Sequence, residues 1–531
     1  MKTNPNRFWF LVIFLGWAFD FLFWKKPDGV NFFIYMALCL GTGIYLLKAD
    51  GLRLSPRSGL LLFPIAFLAA MTFIRQEPMT VFLSVAGTLF LMGVFTLTYL
   101  NGQWARYGLI DYFLGYLRLF GSMIARPLGF SAEVRKEQPS PSEKRGSRVW
   151  PVVRGIIIAL PVIAIFASLL SSADPIFENR FQEFIDFFKI DNLPEYIFRL
   201  VYILVFAYAI AGTFLHAAQK SGEEMEEKSL LSPFLGFTES TIVLGSVVVL
   251  FLAFVVIQFQ YFFGGHANIS VEGYTYSEYA RRGFGELVAV AFFSLLMLLG
   301  LGAITKRESE MQRKAFSGLG VTLVVLVIVM LVSAFQRLVL YEYAYGFSRL
   351  RTYTHVFMIW LGLLLVAVVI LEVLRRDHFI GFAMVLASLG FVISLGIMNV
   401  DGFIVKKNIQ REVSGLANDN FTQDRPALDA QYFLDLSDDA VPALVDGFTN
   451  ETLPENVREK IGAALACKRY DRKGEKYLPW QSFHFSRLIA ENTFAQVDKQ
   501  LDEYTIASTD WPVKVETPTG EEFSCAQYNY D

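Results

Sequence analysis

The stretch Ser317–Gln336 reads SGLGVTLVVLVIVMLVSAFQ and contains no charged residue in its 20 positions. A helix of this length rises about 30 Å, which is the thickness of the hydrocarbon core of a bilayer. A surface helix of a soluble protein would instead carry polar residues along one face. The stretch therefore predicts a membrane-spanning helix, and it decides the class of the protein.

Similar apolar runs recur along the chain and are separated by short charged loops. Of the 531 residues, 54% are hydrophobic and only 18% are charged, whereas about 25% of the residues of an ordinary globular chain are charged. Intrinsic disorder, collagen, a coiled coil and a small disulfide scaffold are thereby excluded. Eleven segments are predicted to span the membrane: 8–24, 30–47, 59–74, 80–99, 152–171, 195–215, 240–262, 285–304, 317–336, 353–373 and 379–398.

The charges of the loops predict how these spans are oriented. With the N-terminus inside, 21 Lys and Arg residues lie in cytoplasmic loops and 10 lie in external loops before the C-terminal tail. Basic residues favour the cytoplasmic side, so we expect a multi-pass protein of the cell membrane with a cytoplasmic N-terminus and an extracytoplasmic C-terminus. Span 59–74 is short and contains Pro64. Asp20 in the first span is costly in hydrocarbon unless it faces protein or water.

The chain is predicted to have four parts. Residues 1–100 hold four spans, 101–150 form a cytoplasmic interfacial helix with a basic linker, 151–398 hold a seven-helix membrane core, and 399–531 form an acidic soluble domain. The last part has 14 basic and 23 acidic residues, a formal charge of −9, while the rest carries +6. The basic linker either binds anionic lipid or only reflects the positive-inside bias. The fold class predicted is therefore all-α and polytopic, with about 11 transmembrane helices and a small, mostly helical extracytoplasmic domain.

The C-terminal part is predicted to be helical before it becomes a hairpin. Ser437 resembles an N-cap, and the apolar residues between Phe485 and Tyr504 predict one longer helix. Alternation from Trp511 onward predicts a hairpin. Cys467 and Cys525 form a disulfide if this part is extracytoplasmic, and they are two free thiols if it is cytoplasmic.

The sequence contains few motifs that carry chemistry. It has no Walker A loop, HExxH, GxSxG or paired CxxC motif, and its five histidines are scattered. We therefore expect no cofactor, no metal site and no nucleic-acid partner. Three polar, aromatic-rich stretches at the external ends of spans remain, at 274–286, 341–355 and 399–411. Arginines beside aromatic rings suit a phosphate or carboxylate, and the candidate ligand-binding residues are Tyr279, Arg281, Arg282, Glu286, Tyr345, Arg349, Arg351, His355, Asp401 and Asn408.

Each stretch also has an ordinary structural interpretation. Glu278, Arg282 and Glu286 have the spacing of ion pairs within one helix. Tyrosines at a membrane boundary form an interfacial belt. Asp401 and Asn408 share a helix face and would dock the C-terminal part. If every arginine pairs with a carboxylate, the three stretches form a structural clasp; if an arginine points unpaired into a cavity, an anionic ligand is expected there.

Four motifs resemble a known family: TYSEYARRGFGELVAV at 275–290, YGFSRLRTYTHVFMIWL at 345–361, NVDGFIVKKNIQR at 399–411 and LDAQYFLDLSDDAVPAL at 428–444. Together they resemble a bacterial multi-pass membrane family, the domain of unknown function 4153/4173, over residues 150–450. The resemblance implies a polytopic bacterial inner-membrane protein with a helical tail, and it implies no reaction.

Three functions are consistent with these features, and whether the protein is an enzyme stays open. The leading hypothesis is binding or transport of an anionic ligand, either a small anion or a lipid headgroup, at the extracytoplasmic face. The first alternative is a cell-envelope transferase that acts on a lipid-linked substrate, with Glu286 or Asp401 as base. The second is a structural or sensory scaffold in the lipid bilayer whose C-terminal part binds an envelope protein.

Overall fold

The computed structural model describes residues 4–137, 193–219, 233–262, 284–416, 427–473, 478–508 and 511–526, with single positions between 159 and 180. The helices are α1 Pro5–Phe23, α2 Val30–Ala49, α3 Pro56–Gly59, α4 Leu62–Ile74, α5 Pro78–Thr98, α6 Leu109–Glu137, α7 Leu193–Ala217, α8 Phe237–Phe262, α9 Phe284–Ile304, α10 Glu310–Tyr345, α11 Arg349–Val373, α12 Ile380–Met398, α13 Val400–Leu416, α14 Tyr432–Asp435, α15 Val441–Thr449, α16 Glu455–Lys473 and α17 Phe485–Val497. Strands β1 Thr505–Ser508, β2 Lys514–Glu516 and β3 Glu522–Ser524 form one antiparallel sheet in the order β1-β2-β3.

Ten helical segments of the described chain are long and apolar enough to cross a membrane. They coincide with ten of the eleven predicted spans, and the uncharged stretch Ser317–Gln336 lies inside the 36-residue helix α10. The other predicted span, 152–171, lies almost wholly outside the described residues. The predicted all-α, polytopic fold class is confirmed, and the protein is a multi-pass membrane protein. The extracytoplasmic position of the C-terminal part stays a prediction.

The predicted span at 59–74 begins with a break in the helix. The short helix α3 ends at Gly59 and α4 begins at Leu62, so Pro64 lies in the first turn of α4. Proline lacks an N–H group and its ring crowds the preceding turn, so a helix tolerates it best where the helix begins. Together, α3, the two residues that follow it and α4 form the segment Pro56–Ile74, whose 19 residues are long enough for a span.

The chain divides into two compact units, the first formed by Met1–Trp24, Leu38–Arg53 and Leu117–Gln219. Within this unit α1 packs along α7. A Cβ at Gly16 would lie 2.5 Å from the carbonyl oxygen of Ile203, so only glycine allows this approach. Asp20 accepts hydrogen bonds from Arg199 Nε at 2.9 Å and from the Tyr202 hydroxyl at 2.7 Å. The acidic group of the first span is therefore paired inside the protein, as its cost in hydrocarbon requires.

The second unit is formed by Lys25–Ala37, Leu54–Tyr116 and Lys220–Asp531. Its helices α8 to α11 share a buried apolar core, which includes Leu244, Leu295, Val327 and Leu365. Ser309 begins α10 with a capping box. At the same end of this bundle, Arg307 Nη1 lies 2.6 Å from Glu372 Oε1 at the end of α11. The opposite end of α11 begins at Arg349, about 36 Å away along the helix axis.

The C-terminal helices pack around a core that continues into the membrane helices. Helix α15 packs against α13, α16 and α17, and the residues between them include Phe433, Leu444 and Ile461. The same cluster extends through Ile404 of α13 to Leu395 of α12. Apolar contact therefore crosses residue 399, and the domain boundary that the sequence suggested there stays a prediction.

The end of the chain has the hairpin that the alternation predicted. Strands β2 and β3 are joined by a turn at Gly520, where φ is +89°. Cys467 in α16 and Cys525 beyond β3 form a disulfide with a Cα–Cα distance of 5.3 Å. The prediction of one long helix up to Tyr504 is wrong, because α17 ends at Val497 and is followed by the 3₁₀ turn Gln500–Glu503.

Candidate functional site

Two chain reversals in the second unit bring the second and third polar stretches together. Between α10 and α11 the chain turns at Gly346, whose φ is +83°. Between α12 and α13 it turns at Asn399, which adopts the left-handed conformation with φ +52°. The side chain of Asn399 accepts a hydrogen bond from the Gly402 amide at 3.0 Å and so caps α13. Asparagine tolerates this backbone region better than most residues.

The two reversals place Arg349 against Asp401. Arg349 Nε lies 2.8 Å from Asp401 Oδ1, and Arg349 Nη2 lies 2.6 Å from Asp401 Oδ2. The carboxylate is fully buried, while 23% of the Arg349 side chain is exposed. Such a bidentate pair combines charge attraction with two aligned hydrogen bonds. It therefore fixes the first turn of α11 against the first turn of α13.

The C-terminal helices complete the shell around Asp401. The Ser437 amide and hydroxyl each donate to Asp401 Oδ2 at 2.7 Å. Asp439 accepts the Gln76 amide at 2.7 Å and the Glu77 amide at 3.2 Å. Burial raises the pKa of Asp439, while the bond from the Gln76 amide opposes that rise. One segment, Ser437–Asp439, thus joins the start of α13 to the loop between α4 and α5.

A third buried carboxylate, Glu77, links that loop to α11. It caps α5 by accepting the Met79 and Thr80 amides, each at 2.8 Å. It also accepts a hydrogen bond from the Tyr353 hydroxyl, one turn beyond Arg349. We call this network the carboxylate clasp and define it as Glu77, Arg349, Tyr353, Asp401, Ser437 and Asp439.

The turn between α10 and α11 is held by two more residues of the third stretch. Asn408 Oδ1 accepts the Phe347 amide at 2.6 Å, and Asn408 Nδ2 donates to the Phe347 carbonyl at 3.0 Å. Arg411 Nη1 donates to the Ala344 carbonyl at 2.9 Å. Helix α13 therefore fastens the turn by backbone bonds as well as by the Asp401 ion pair.

The other candidates of the second stretch lie around the same turn. Arg351 donates to the Gly346 carbonyl and lies 4.1 Å from the centroid of the Tyr341 ring. Tyr345 ends α10 and is 42% exposed. His355 Nδ1 lies 3.1 Å from Glu342 Oε1, and the Glu342 side chain is 2% exposed. These arginine and histidine contacts are internal to the protein.

The first polar stretch is not brought into the clasp by the described residues. Tyr279, Arg281 and Arg282 lie outside them, and Glu286 is exposed in the first turn of α9. Whether the predicted site includes these four residues stays a prediction. Within the described chain, no group of three or more His, Cys, Asp or Glu side chains could hold a metal ion.

Four members of the carboxylate clasp were not among the candidate site residues: Glu77, Tyr353, Ser437 and Asp439. Glu77 and Asp439 are nearly fully buried, and Arg75 Nη1 lies 3.6 Å from Asp439 Oδ1. The Glu77-Pro78 pair was a readable helix-start signal, and Ser437 was read as an N-cap, which it is. Neither signal indicates that the two segments meet, because 362 positions separate them.

One lysine of the C-terminal part is buried beside the clasp. Lys468 Nζ donates to the carbonyls of Leu434 at 3.2 Å and Leu436 at 2.5 Å. Burial lowers the pKa of Lys468 to about 8, although Asp438 and Asp401 oppose that shift. A charged Lys468 is therefore costly to keep here, and it was not singled out from the sequence.

Four loops of the second unit contact the same C-terminal helices. The Ser482 hydroxyl donates to the Pro27 carbonyl at 2.8 Å in the loop before α2. The loop before α5 reaches Asp439, the turn before α11 reaches Tyr432 through the Arg349 amide at 2.9 Å, and Asn399 Nδ2 donates to the Asp439 carbonyl at 3.1 Å. All four loops were assigned to one side of the membrane by their order among the spans.

The chain was compared with family models, curated proteins and solved structures. The family model described as Domain of unknown function (DUF4153) matches residues 62–447. This match begins before residue 150, where the resemblance started, and it therefore includes α4, α5 and every residue of the carboxylate clasp. No curated protein and no solved structure matches the chain. Because the model covers more than half of the chain, the protein belongs to the DUF4153 family.

Proposed function

We propose that this protein is a membrane-embedded scaffold that holds its C-terminal helical domain in one fixed position against the extracytoplasmic face. The observation that carries the proposal is the saturation of Asp401, whose two oxygens accept four hydrogen bonds from Arg349 and Ser437. A carboxylate so occupied, with no exposed surface, serves to join helices. In this proposal, the partner of the scaffold is an envelope protein that binds the C-terminal domain.

The same geometry weighs against a catalytic role for the clasp. A general base needs an oxygen that can reach the proton of a substrate. Glu77 accepts two amides and two hydroxyls, and Asp439 accepts two amides. The open groove bounded by Gln431, Glu459 and Phe523 on the C-terminal helices contains none of the predicted site residues. The transferase hypothesis therefore has no support from these residues.

Ion-coupled transport also has little support within the first unit. An ion-coupled transporter is expected to have ionisable groups near the middle of the membrane, where they form the ion pathway. Asp20 is only three residues from the end of α1 and is paired with Arg199. Binding of an anionic lipid or small anion at the exposed edge of Arg349 stays a prediction, and the experiment below separates it from the scaffold.

The orientation is part of the proposal and rests on two independent features. Positive charge favours a cytoplasmic N-terminus by 21 residues to 10. The Cys467–Cys525 disulfide is of a kind that persists in oxidising compartments. A reporter fused after Asp531 that is active only outside the cytoplasm should be active, and one that is active only in the cytoplasm should be silent. The reverse pattern would overturn the orientation.

The scaffold function is tested on full-length protein in nanodiscs with and without phosphatidylglycerol, an anionic lipid. Limited proteolysis follows the release of the C-terminal helices, and thermal unfolding follows stability. Arg349→Ala should increase cleavage in the C-terminal part equally in both lipid compositions, because the clasp is internal. The control Arg375→Ala removes an exposed bidentate pair with Glu310 and should leave cleavage unchanged.

The ligand hypothesis predicts a different result for the same variant. If phosphatidylglycerol stabilises the wild type and Arg349→Ala abolishes that stabilisation, Arg349 binds an anionic headgroup and the ligand hypothesis replaces the scaffold. The same comparison with inorganic phosphate in uncharged nanodiscs tests a small anion. Unchanged proteolysis of Arg349→Ala would contradict the scaffold directly.

A further inference from the structure

A band of large apolar side chains is exposed on the C-terminal helices next to the membrane-spanning helices. It extends from the 3₁₀ turn Trp480–Ser482 to the first turns of α17. Its members are Trp480, Phe483, Phe485, Leu488 and Ile489, with exposed fractions of 56, 40, 44, 38 and 38%. We call these five residues the apolar band. Several large apolar side chains that are exposed close together in the chain, outside the spans, indicate a contact with protein or membrane.

The backbone of this segment is bonded to the start of a span. The amide of Val30, the first residue of α2, donates to the Phe483 carbonyl at 3.0 Å. His484 Nε2 lies 2.9 Å from the Asp28 carbonyl oxygen. A Cβ at Gly29 would lie 2.7 Å from the Ser482 carbonyl carbon, so the backbones at these two positions are in direct contact without an intervening side chain. The apolar band therefore lies at the same depth as the first residue of α2.

That depth follows from the length of the span. Helix α2 has 20 residues and rises about 30 Å, so its first residue lies at the edge of the hydrocarbon core. Helix α17 also packs against α4, whose Phe73 ring lies 5.5 Å from the Phe33 ring of α2. The apolar band thus begins where two spans end, at the depth where headgroups meet acyl chains.

The two faces of α17 are used differently. Ser486, Ala490, Phe494 and Val497 are buried, and α17 packs against α15, the 3₁₀ turn Asp438–Ala440 and α4. The exposed positions change along the helix, from Phe485, Leu488 and Ile489 in its first turns to Glu491, Asn492 and Gln496 further along. Within α17, large apolar side chains are exposed only in these first turns, next to the bond from Val30.

We propose that the apolar band inserts into the interface of the lipid leaflet on the side of the C-terminal helices. The side chains of the apolar band then contact the boundary between the lipid headgroups and the acyl chains. Aromatic side chains such as Trp480 favour this boundary because they are apolar with one polar edge, and a helix with one apolar face lies in it with that face buried. The inference depends neither on the scaffold function nor on which side of the membrane is cytoplasmic.

The test measures the depth of a spin label on the full-length protein in phosphatidylcholine vesicles. The background is Cys39→Ala, which removes the one cysteine that is free in the described chain and keeps the disulfide. A nitroxide is attached at Leu488→Cys and, as control, at Gln496→Cys. Gln496 is exposed and follows Ile489 by seven residues, so it lies on the same face of α17. Collisions with oxygen, which concentrates in lipid, are compared with collisions with a water-soluble nickel chelate.

The label at residue 488 should collide more with oxygen than with nickel, and the label at 496 should show the reverse ratio. Preference for nickel at both positions places the apolar band in water and overturns the proposal. Low collision with both reagents at residue 488 means that protein covers the band, either another segment or a second copy, and also overturns it. Both substituted positions are exposed, so folding is retained in either variant.

Discussion

Arg349 holds Asp401 by one edge of its guanidinium, with 2.8 Å from Nε to Oδ1 and 2.6 Å from Nη2 to Oδ2. The two residues begin α11 and α13, and Asp401 has no exposed surface. Arg375 and Glu310 also form a bidentate pair, and their side chains are 58 and 62% exposed. The two pairs have the same chemistry and differ in burial.

The buried pair should dominate stability. Arg349→Ala leaves Asp401 buried without its cation, and removing one partner of such a pair costs about 3–5 kcal/mol. Arg375→Ala should cost much less than Arg349→Ala, because an ion pair exposed to water is weak. Thermal or denaturant unfolding of the full-length protein in detergent measures both.

A double-mutant cycle tests whether the loss at Arg349 acts through Asp401. Adding Asp401→Asn to Arg349→Ala should cost less than the two single changes summed, because the orphaned charge is removed. Strict additivity would mean that the two side chains act independently and would contradict the clasp.

The turn at Gly346 should not accept a side chain. Gly346→Ala forces an L-residue into φ +83° and puts its Cβ 2.8 Å from Asn408 Oδ1. Strain of this kind costs about 1–3 kcal/mol. We expect a lower unfolding temperature, whereas Gly318→Ala in α10, where a Cβ would meet nothing within 4 Å, should be neutral or stabilising. Equal effects would show that the turn adapts.

The disulfide should stabilise the C-terminal helices. Cys467 and Cys525 are 58 positions apart, and closing a loop of this length is worth about 4 kcal/mol in the chain-entropy model. Cys525→Ser, or reduction, should therefore increase proteolysis of residues 427–526 at fixed temperature. Cys39→Ala serves as the control and should leave the susceptibility to reductant unchanged. Insensitivity of the wild type to reductant would contradict a stabilising disulfide.

The span pattern was predictable because each span satisfies its own backbone hydrogen bonds. Apolar length alone therefore located all ten spans found in the described chain. The pairing of the second and third stretches was partly predictable, since topology puts their spans' ends on one side. The identity of the partners was not: Arg349 bonds Asp401 at a separation of 52 residues, but Tyr353 bonds Glu77 at 276. No local pattern encodes that distance.

Helix α17 shows a second reason why the sequence was insufficient. The spacing of Phe485, Leu488 and Ile489 predicts a helix, and in a soluble domain an apolar helix face of this kind is buried against the core. In the structure Ser486 and Ala490 are buried in the first turns of α17, whereas Phe485, Leu488 and Ile489 are exposed. Near a membrane an apolar face has two possible environments, protein or lipid, and periodicity does not distinguish them.

Lys468 should make stability depend on pH in the alkaline range. Its pKa in the folded protein is about 8, below the ordinary 10.5, chiefly because burial disfavours the ammonium form. Between these values the unfolded chain binds the proton that the folded protein has released, so stability rises with pH. From pH 7.5 to 9.5 this contribution should be about 2 kcal/mol, at 1.36 kcal/mol per pKa unit.

The comparison with Lys468→Met isolates this contribution from other groups that titrate in the same range. Methionine has similar length and no charge, so the variant should lose the rise in stability even if its stability at pH 7.5 differs. The neutral amine of the wild type can still donate to the Leu434 and Leu436 carbonyls, so deprotonation keeps those bonds. Denaturant unfolding of the full-length protein at both pH values measures the difference. An identical pH dependence in wild type and variant would show that Lys468 keeps its proton in the folded protein, stabilised by Asp438 and Asp401.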